Sequence, residues 1–283
     1  MKSSTQNMLI PVVLFVCIFV FTACTLISPG ISTPSKNLHA SSEAVALVSA
    51  LKRQNHKLTT FKGLGTIIFL GSEGKEVATR IAWVASVPDR MRITLSSISG
   101  QPIISAASDG RWLYLISYAK GDFYKKRATN SNMKHFFSIA IKSRDIVNIL
   151  AGRIPFEKYD SAVLITDGSL NTSQDKGFDT ARALSPMDKE LGDILILKDK
   201  WDNVIEKIYL DQEHVVHKIE MFNSTGDLLY RVEFNRMQQI NAYRVPSRLK
   251  VSNNDGQGFR LDLDRYWADA RVSPSVFTLT PPK

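Results

Sequence analysis

Apolar and polar side chains alternate through much of the stretch from Val77 to Lys126. Met91, Ile93 and Leu95, for example, are separated by polar residues, and this period of two is typical of a strand with one buried face. Turn signals such as Asp109-Gly110 separate the runs. Strands joined by such short links pair antiparallel, because a parallel pair needs a long crossover. The stretch therefore predicts a β-meander with one apolar, aromatic-rich face.

Similar alternation continues on both sides of this meander. Residues 61–70 form the first predicted strand, and residues 167–190 are polar and turn-rich, which predicts a long loop. The later predicted strands are 161–166, 193–197, 204–211, 214–222, 228–235, 246–252 and 259–265. We count about ten or eleven strands, and a sheet of that size curls or closes. The fold class is mainly β, with a single incomplete antiparallel β-barrel and helices over its open, apolar face.

Two regions have helical spacing instead. Residues 41–56 begin with a hydroxyl cap and an acidic first turn, and they predict an amphipathic helix. This helix either packs on the sheet or acts as a movable plug over a cavity. Residues 133–150 predict one or two more helices, with Ser143-Arg144-Asp145 as cap and first turn and Gly152 as the C′ residue.

The N-terminus carries a short apolar run, Met8 to Phe21, preceded by Lys2. The run is too short for a typical membrane-spanning helix. It ends in Phe21-Thr22-Ala23-Cys24, which resembles a bacterial lipobox, in which the cysteine is lipidated and becomes the mature N-terminus. We predict a lipoprotein signal peptide over residues 1–23 and lipid attachment at Cys24. An ordinary signal peptide or an uncleaved anchor is the alternative.

The rest of the chain divides simply. Residues 24–40 contain prolines, glycine and several hydroxyl residues but few large side chains, so we expect a flexible tether that reaches roughly 20–25 Å. Residues 41–283 form the predicted folded domain. The only cysteines are Cys17 and Cys24, so the mature chain has no intramolecular disulfide. By a family sorting rule, Thr25 after the cysteine favours the periplasmic face of the bacterial outer membrane.

Charge and motifs narrow the function further. The chain has a net charge of +9, which fits nucleic acid or an anionic membrane surface, and export argues against nucleic acid. His214 and His217 are three apart on a predicted strand and therefore face opposite sides, which makes them a poor metal pair. We find no catalytic, phosphate-binding or metal-binding motif and predict no enzyme, no cofactor and no metal. A dispersed active site would need polar side chains that converge in one pocket.

Several segments together resemble one family. The tail Ser275–Pro282, the opening Phe61-Lys62-Gly63 and the segment from Trp83 to Asp109-Gly110 are similar to the LolA/LolB-like superfamily of outer-membrane lipoprotein carriers and receptors. The resemblance implies an incomplete barrel in which acyl chains lie between a concave apolar face and a lid of helices. A lipid anchor resembles the receptor branch. The turn Gly71–Gly74, however, lacks the exposed hydrophobic residue that receptors use to insert cargo.

The expected function is binding of lipoprotein or lipid acyl chains and their transfer or insertion into the outer membrane, with a periplasmic carrier protein as a possible partner. The alternative is a periplasmic interaction, sensor or envelope-assembly module of the same fold. The expected cavity residues are Trp83, Ile93, Leu95, Trp112, Tyr114, Ile116, Ile219, Met221, Tyr230 and Val232. The expected lid residues are Val45, Val48, Leu51, Phe136, Phe137, Ile146 and Leu150.

Overall fold

The computed structural model describes residues 36–71, 74–137, 139–166 and 192–282, with side chains from residue 42 onward. Cys24 and the whole of the predicted long loop, residues 167–190, lie outside the described residues, as do the side chains of Phe136 and Phe137. The chain divides into two units, residues 1–39 and 40–283, and the architecture below is that of the second.

Thirteen strands form one antiparallel sheet with the order β6-β5-β4-β3-β2-β1-β13-β12-β11-β10-β9-β8-β7. The sheet is open rather than a closed barrel, because β6 and β7 are its two edges. The predicted total of ten or eleven strands is too low, since even the shortest runs each form a strand. The strands are β1 Thr60–Leu70, β2 Glu76–Ser86, β3 Arg90–Ser96, β4 Pro102–Asp109, β5 Trp112–Ser117, β6 Asp122–Arg127, β7 Ser161–Ile165, β8 Ile194–Lys198, β9 Val204–Leu210, β10 Val216–Phe222, β11 Leu228–Ile240, β12 Tyr243–Ser252 and β13 Gly258–Ala268.

The sheet consists of two meanders joined along one seam. Every pair of neighbouring strands is also consecutive in sequence, except β1 and β13. Their pairing runs from Phe61 opposite Ala268 to Leu70 opposite Gly258, with a bulge at Gly65. A Cβ at Gly65 would lie 2.2 Å from the carbonyl oxygen of Asp262, so the strands approach there as only glycine allows.

The main apolar cluster lies on one face of the sheet, here called the inner face. It takes alternate residues from the strands, as the period of two predicted, together with helical residues. Phe61 and Val232, for example, are fully buried in it. The same alternation places the intervening residues on the opposite, outer face.

Three helices lie in the described part of the chain: α1 Lys36–Arg53, α2 Asn130–Phe137 and α3 Ser143–Leu150. The helix α1 begins before the predicted cap at Ser41 and Ser42. In α3 the residue before the helix is Lys142, without a side-chain cap, so the predicted cap at Ser143 is wrong. The predicted first turn is confirmed, since the helix begins at Ser143 and Asp145 lies in its first turn. The prediction for Gly152 is confirmed: it follows the C-cap residue with φ +67°.

The outer face carries two smaller apolar clusters. One joins Ala107, Tyr114 and Ile116 to Leu279 of the C-terminal segment. A short 3-10 turn, Pro274–Phe277, packs against β3 and β4 just before that residue. The other cluster lies near the β7 edge and contains Ile194, Ile196 and Tyr209. Parts of this sheet are therefore buried on both faces.

Candidate functional site

A small apolar cavity lies between the inner face and α3. Its volume is about 20 Å³, close to the minimum for a single water molecule. Strands β1, β2, β3, β12 and β13 provide one wall, and α3 with the residue Ile141 provides the other. All of the lining side chains are aliphatic or aromatic: Ile67, Ile81, Trp83, Ile93, Ile141, Ile146, Ile149, Leu150, Leu249, Val251, Phe259 and Leu261.

Trp83 is the largest side chain in this cavity wall. Its ring lies across Gly63 of the neighbouring strand, where a Cβ would be 2.0 Å from Cζ2 of the indole. Glycine at this position therefore makes room for the indole. The indole Nε1 is buried and has no hydrogen-bond partner, which is uncommon for a buried donor.

A second cavity, of about 180 Å³, lies between the β4–β6 end of the sheet and α2. Its apolar part is formed by Ala106, Leu113 and Leu115. Its polar part is formed by Tyr124, Lys126, Asn132 and His135. This space combines an apolar surface with hydrogen-bonding and cationic groups, which is the combination that an amphiphilic molecule needs.

The two ends of α3 are held in different ways. At the C-terminal end, Asn55 Nδ2 donates to the carbonyl oxygens of Ala151 at 2.8 Å and Arg244 at 2.7 Å, and Tyr266 donates to that of Leu150 at 3.2 Å. At the N-terminal end, the hydroxyl of Tyr230 donates to Asp145 at 2.9 Å. The C-terminal end of the helix is thus held through main-chain carbonyl oxygens, whereas the N-terminal end is held through the titratable side chain of Asp145.

Asp145 belongs to a group of buried acids on the inner face. Burial raises the pKa of Asp145 to about 6, although the hydrogen bond from Tyr230 and the charge of Lys142 oppose that rise. Glu206 is fully buried, and burial together with the charges of Asp145 and Glu157 raises its pKa well above the usual range. Neither carboxyl oxygen of Glu206 makes a well-formed hydrogen bond. The main-chain N–H of Glu157 partly offsets the rise in this pKa, but a carboxyl in such surroundings is still costly, since folding removes it from water and returns only this one weak partner.

Comparisons of sequence alone find no matching family model and no matching curated protein. Solved structures do match. A DUF1329 family protein from Desulfovibrio piger superposes with a TM-score of 0.57 at 11% identity and covers 84% of this chain and 97% of its own. A LolA superfamily protein from Nitrosomonas europaea gives a TM-score of 0.52 at 13% identity, over 85% of this chain and 98% of its own. The chain has a LolA-like fold. A domain from Vibrio parahaemolyticus assigned to outer membrane lipoprotein-sorting proteins agrees, with a TM-score of 0.51, 15% identity and coverage of 84% and 97%.

The LolA-like fold brings some of the predicted residues together. Trp83, Ile93, Ile146 and Leu150 all line the cavity beneath α3. Other predicted residues are buried in the same inner cluster without lining that cavity: Val48, Leu51, Leu95, Ile219, Met221, Tyr230 and Val232.

Other predicted residues lie elsewhere in the LolA-like fold. Trp112, Tyr114 and Ile116 belong to the outer cluster near Leu279, and their neighbours on β5 face the inner side instead. Val45 is 49% exposed on α1. The lid positions Phe136 and Phe137 and the lipid-attachment position Cys24 fall where side chains lie outside the described residues.

Sequence reasoning missed several residues that line the cavity, among them Leu249, Phe259 and Leu261. Alternation did indicate that Phe259 and Leu261 share an apolar face, but not that β13 lies beside β1. Ile149 also lines the cavity, and it lies on the same short helix as the predicted residues Ile146 and Leu150, three residues after the first and one before the second.

The described residues contain no group of three or more acidic, histidine or cysteine side chains that could hold a metal ion. Among the helices described, none combines the length and apolar character needed to cross a bilayer.

Proposed function

We propose that this protein binds the acyl chains of lipoproteins or lipids between the inner face of its sheet and α3, and helps to transfer or insert them into the outer membrane. The carrying observation is the cavity beneath α3, whose lining contains no charged side chain. Burial of hydrocarbon in such a space is favourable by about 0.8 kcal/mol for each CH₂. The LolA-like fold supports the same proposal by analogy.

The closed cavity is far smaller than the ligand. A methylene group is roughly the size of a water molecule, whose share of liquid volume is about 30 Å³, so a chain of about sixteen carbons needs several hundred Å³. Since a cavity of about 20 Å³ has room for only one or two water molecules, α3 must move for a chain to enter. The N-terminal end is held through side chains, by the hydrogen bond between Asp145 and Tyr230 and the ion pair between Lys142 and Glu157, so we assign it as the end that opens. The main-chain hydrogen bonds at Leu150 and Ala151 make the other end the hinge.

The second cavity suits the other end of an amphiphile. Leu113 and Leu115 provide apolar surface, and Lys126, Asn132 and His135 provide groups for an acidic or polar head. In this proposal Cys24 carries the lipid anchor and residues 1–23 are removed. Residues 24–35, the part of the predicted tether 24–40 that precedes α1, connect the domain to the periplasmic face of the outer membrane. A periplasmic carrier protein supplies the cargo.

Two matched isoleucine substitutions test the proposal. The parent protein and its two variants, Ile149→Phe and Ile116→Phe, are purified from membranes. Their non-covalently bound lipid is quantified by mass spectrometry after denaturation. Ile149 lines the cavity, whereas Ile116 is buried in the outer cluster. Both changes insert bulk into a packed site at a similar cost of about 1–3 kcal/mol. We expect Ile149→Phe to lose most of its bound lipid and Ile116→Phe to retain it.

An interaction, sensor or envelope-assembly module of the same fold is the second candidate. The small volume of the cavity beneath α3 favours it, because a binding module needs no space for cargo. It predicts that the parent protein carries no lipid and that Ile149→Phe leaves its protein partners unchanged. An equal lipid content in all three proteins would contradict cavity binding.

A further inference from the structure

We propose that the outer face near the β6 edge binds the surface of an anionic membrane through a cluster of cations around Trp112. This inference rests on the proposed tethering of the domain to a bilayer, and it concerns a face that the proposed cavity does not use. The cluster comprises Arg111, Trp112, Lys125 and Arg127, and it is called the basic cluster below.

Three cationic groups surround one indole ring. The guanidinium of Arg127 lies 4.6 Å from the centre of the Trp112 ring, the ammonium of Lys125 lies 4.8 Å away, and the guanidinium of Arg111 lies 5.8 Å away. All three cationic residues are exposed, and Trp112 is partly exposed. Pairing of β5 with β6 sets Arg127 opposite Trp112 and Lys125 opposite Tyr114, so these side chains share the outer face.

The charges of the basic cluster are not neutralised within the described part of the chain. None of its three cations forms an ion pair there. The nearby carboxylate of Asp109 instead accepts hydrogen bonds from the hydroxyl of Tyr114 and from the main-chain N–H groups of Arg111 and Trp112. A site of positive charge therefore faces solvent.

The chemistry of the basic cluster fits a lipid surface. An alternative role for a lysine on an edge strand is to prevent the sheet from pairing with another chain. That role explains Lys125 on β6, but it does not explain Arg111, which lies in the β4–β5 turn. Indole rings favour the membrane interface, and cations are attracted to anionic lipid. The outer apolar cluster supports Trp112 from beneath. In the proposed anchoring, residues 24–35 before α1 form a flexible tether of roughly 17–21 Å, on which this face can reach the bilayer.

Lysine footprinting on the full chain tests this inference. The protein is reconstituted in vesicles of phosphatidylcholine alone or with about 30% phosphatidylglycerol, and acetylation of Lys125 is followed by mass spectrometry. We expect anionic vesicles to protect Lys125 and high salt to abolish the protection. Lys158, which is exposed in the loop before β7, reports on general access.

Each cation is expected to contribute about fivefold to docking, so Arg111→Gln/Arg127→Gln should lower the docked-to-undocked ratio about twenty-five-fold. Arg53→Gln/Lys57→Gln removes the same charge from another exposed site and should keep the protection of Lys125. Ile149→Phe should also keep it, which separates this inference from the cavity. Equal protection in neutral vesicles, or stronger protection by a single-stranded oligonucleotide than by anionic lipid, would overturn the inference.

Discussion

Asp145 places a carboxyl group in an apolar core, and its titration makes the stability of the fold depend on pH. Burial raises its pKa to about 6 against an unfolded value of 3.8, so between these values the folded protein binds more protons than the unfolded chain. The free energy of unfolding therefore falls as pH rises from about 4 to about 6. Besides burial, the groups that set this titration are Tyr230, Lys142 and Glu157, and the charge of Asp145 in turn raises the pKa of Glu206.

The first prediction concerns Asp145→Asn, which keeps an acceptor for Tyr230 but removes the titration. The stability lost between pH 4 and pH 7 should be smaller in the variant by about 2 kcal/mol, because a pKa shift of about two units is worth about 3 kcal/mol and part of it is already lost at pH 4. Urea unfolding at several pH values measures the difference. Asp160→Asn, at an exposed carboxyl, is the control. Superimposable pH profiles of Asp145→Asn and the parent would contradict the argument.

The identity of individual residues also explains why parts of the candidate site could not be predicted from the sequence. On β5 both sets of alternating residues are apolar. Leu113 and Leu115 line the second cavity on the inner face, whereas Trp112 and Ile116 lie on the outer face. Periodicity separates two faces but does not say which one is inside. Glu206 is a second case, because nothing in its sequence context distinguishes a buried carboxyl from a solvated one.

At the scale of elements, strands were more predictable than helix ends. Short turns and alternation fix β1 to β6 locally, and Gly110 indeed has a positive φ between β4 and β5. Helix ends depend on tertiary contacts instead. Asp145 lies in the first turn of α3, where acidic residues are common, but its side chain accepts a hydrogen bond from Tyr230 on β11. This contact could not be found from the local sequence.

The second prediction concerns the opening of α3 about its C-terminal end. Tyr230→Phe removes the contact at the N-terminal end and should speed hydrogen exchange there about tenfold or more, because a lost buried hydrogen bond costs about 1–3 kcal/mol. Exchange near Leu150 should change less. Hydrogen-exchange mass spectrometry with peptide resolution across residues 143–151 measures both effects.

Tyr209→Phe provides a matched control for this experiment. The hydroxyl of Tyr209 is also buried and donates to Glu220 at 2.8 Å, but the residue lies on the outer face. It should leave exchange in α3 unchanged. Uniform acceleration along α3 in Tyr230→Phe would mean that the helix detaches as a whole rather than pivoting.

At the scale of the whole molecule, the length of bound hydrocarbon should determine affinity. If α3 opens over a continuous apolar face, each added CH₂ of a fatty acid should tighten binding about fourfold until the available space is filled. Isothermal titration with acids of about eight to about sixteen carbons measures this slope. Affinity that does not change with chain length would instead indicate recognition of the head group alone.

The seam between β1 and β13 has a mechanical consequence for a chain that is pulled from its two ends. Phe61, at the start of β1, lies opposite Ala268, at the end of β13. Tension drawn through these two strand ends would peel the paired strands apart one residue at a time, rather than shear every hydrogen bond together. The two meanders would then separate under a small force, while each kept its own hairpins.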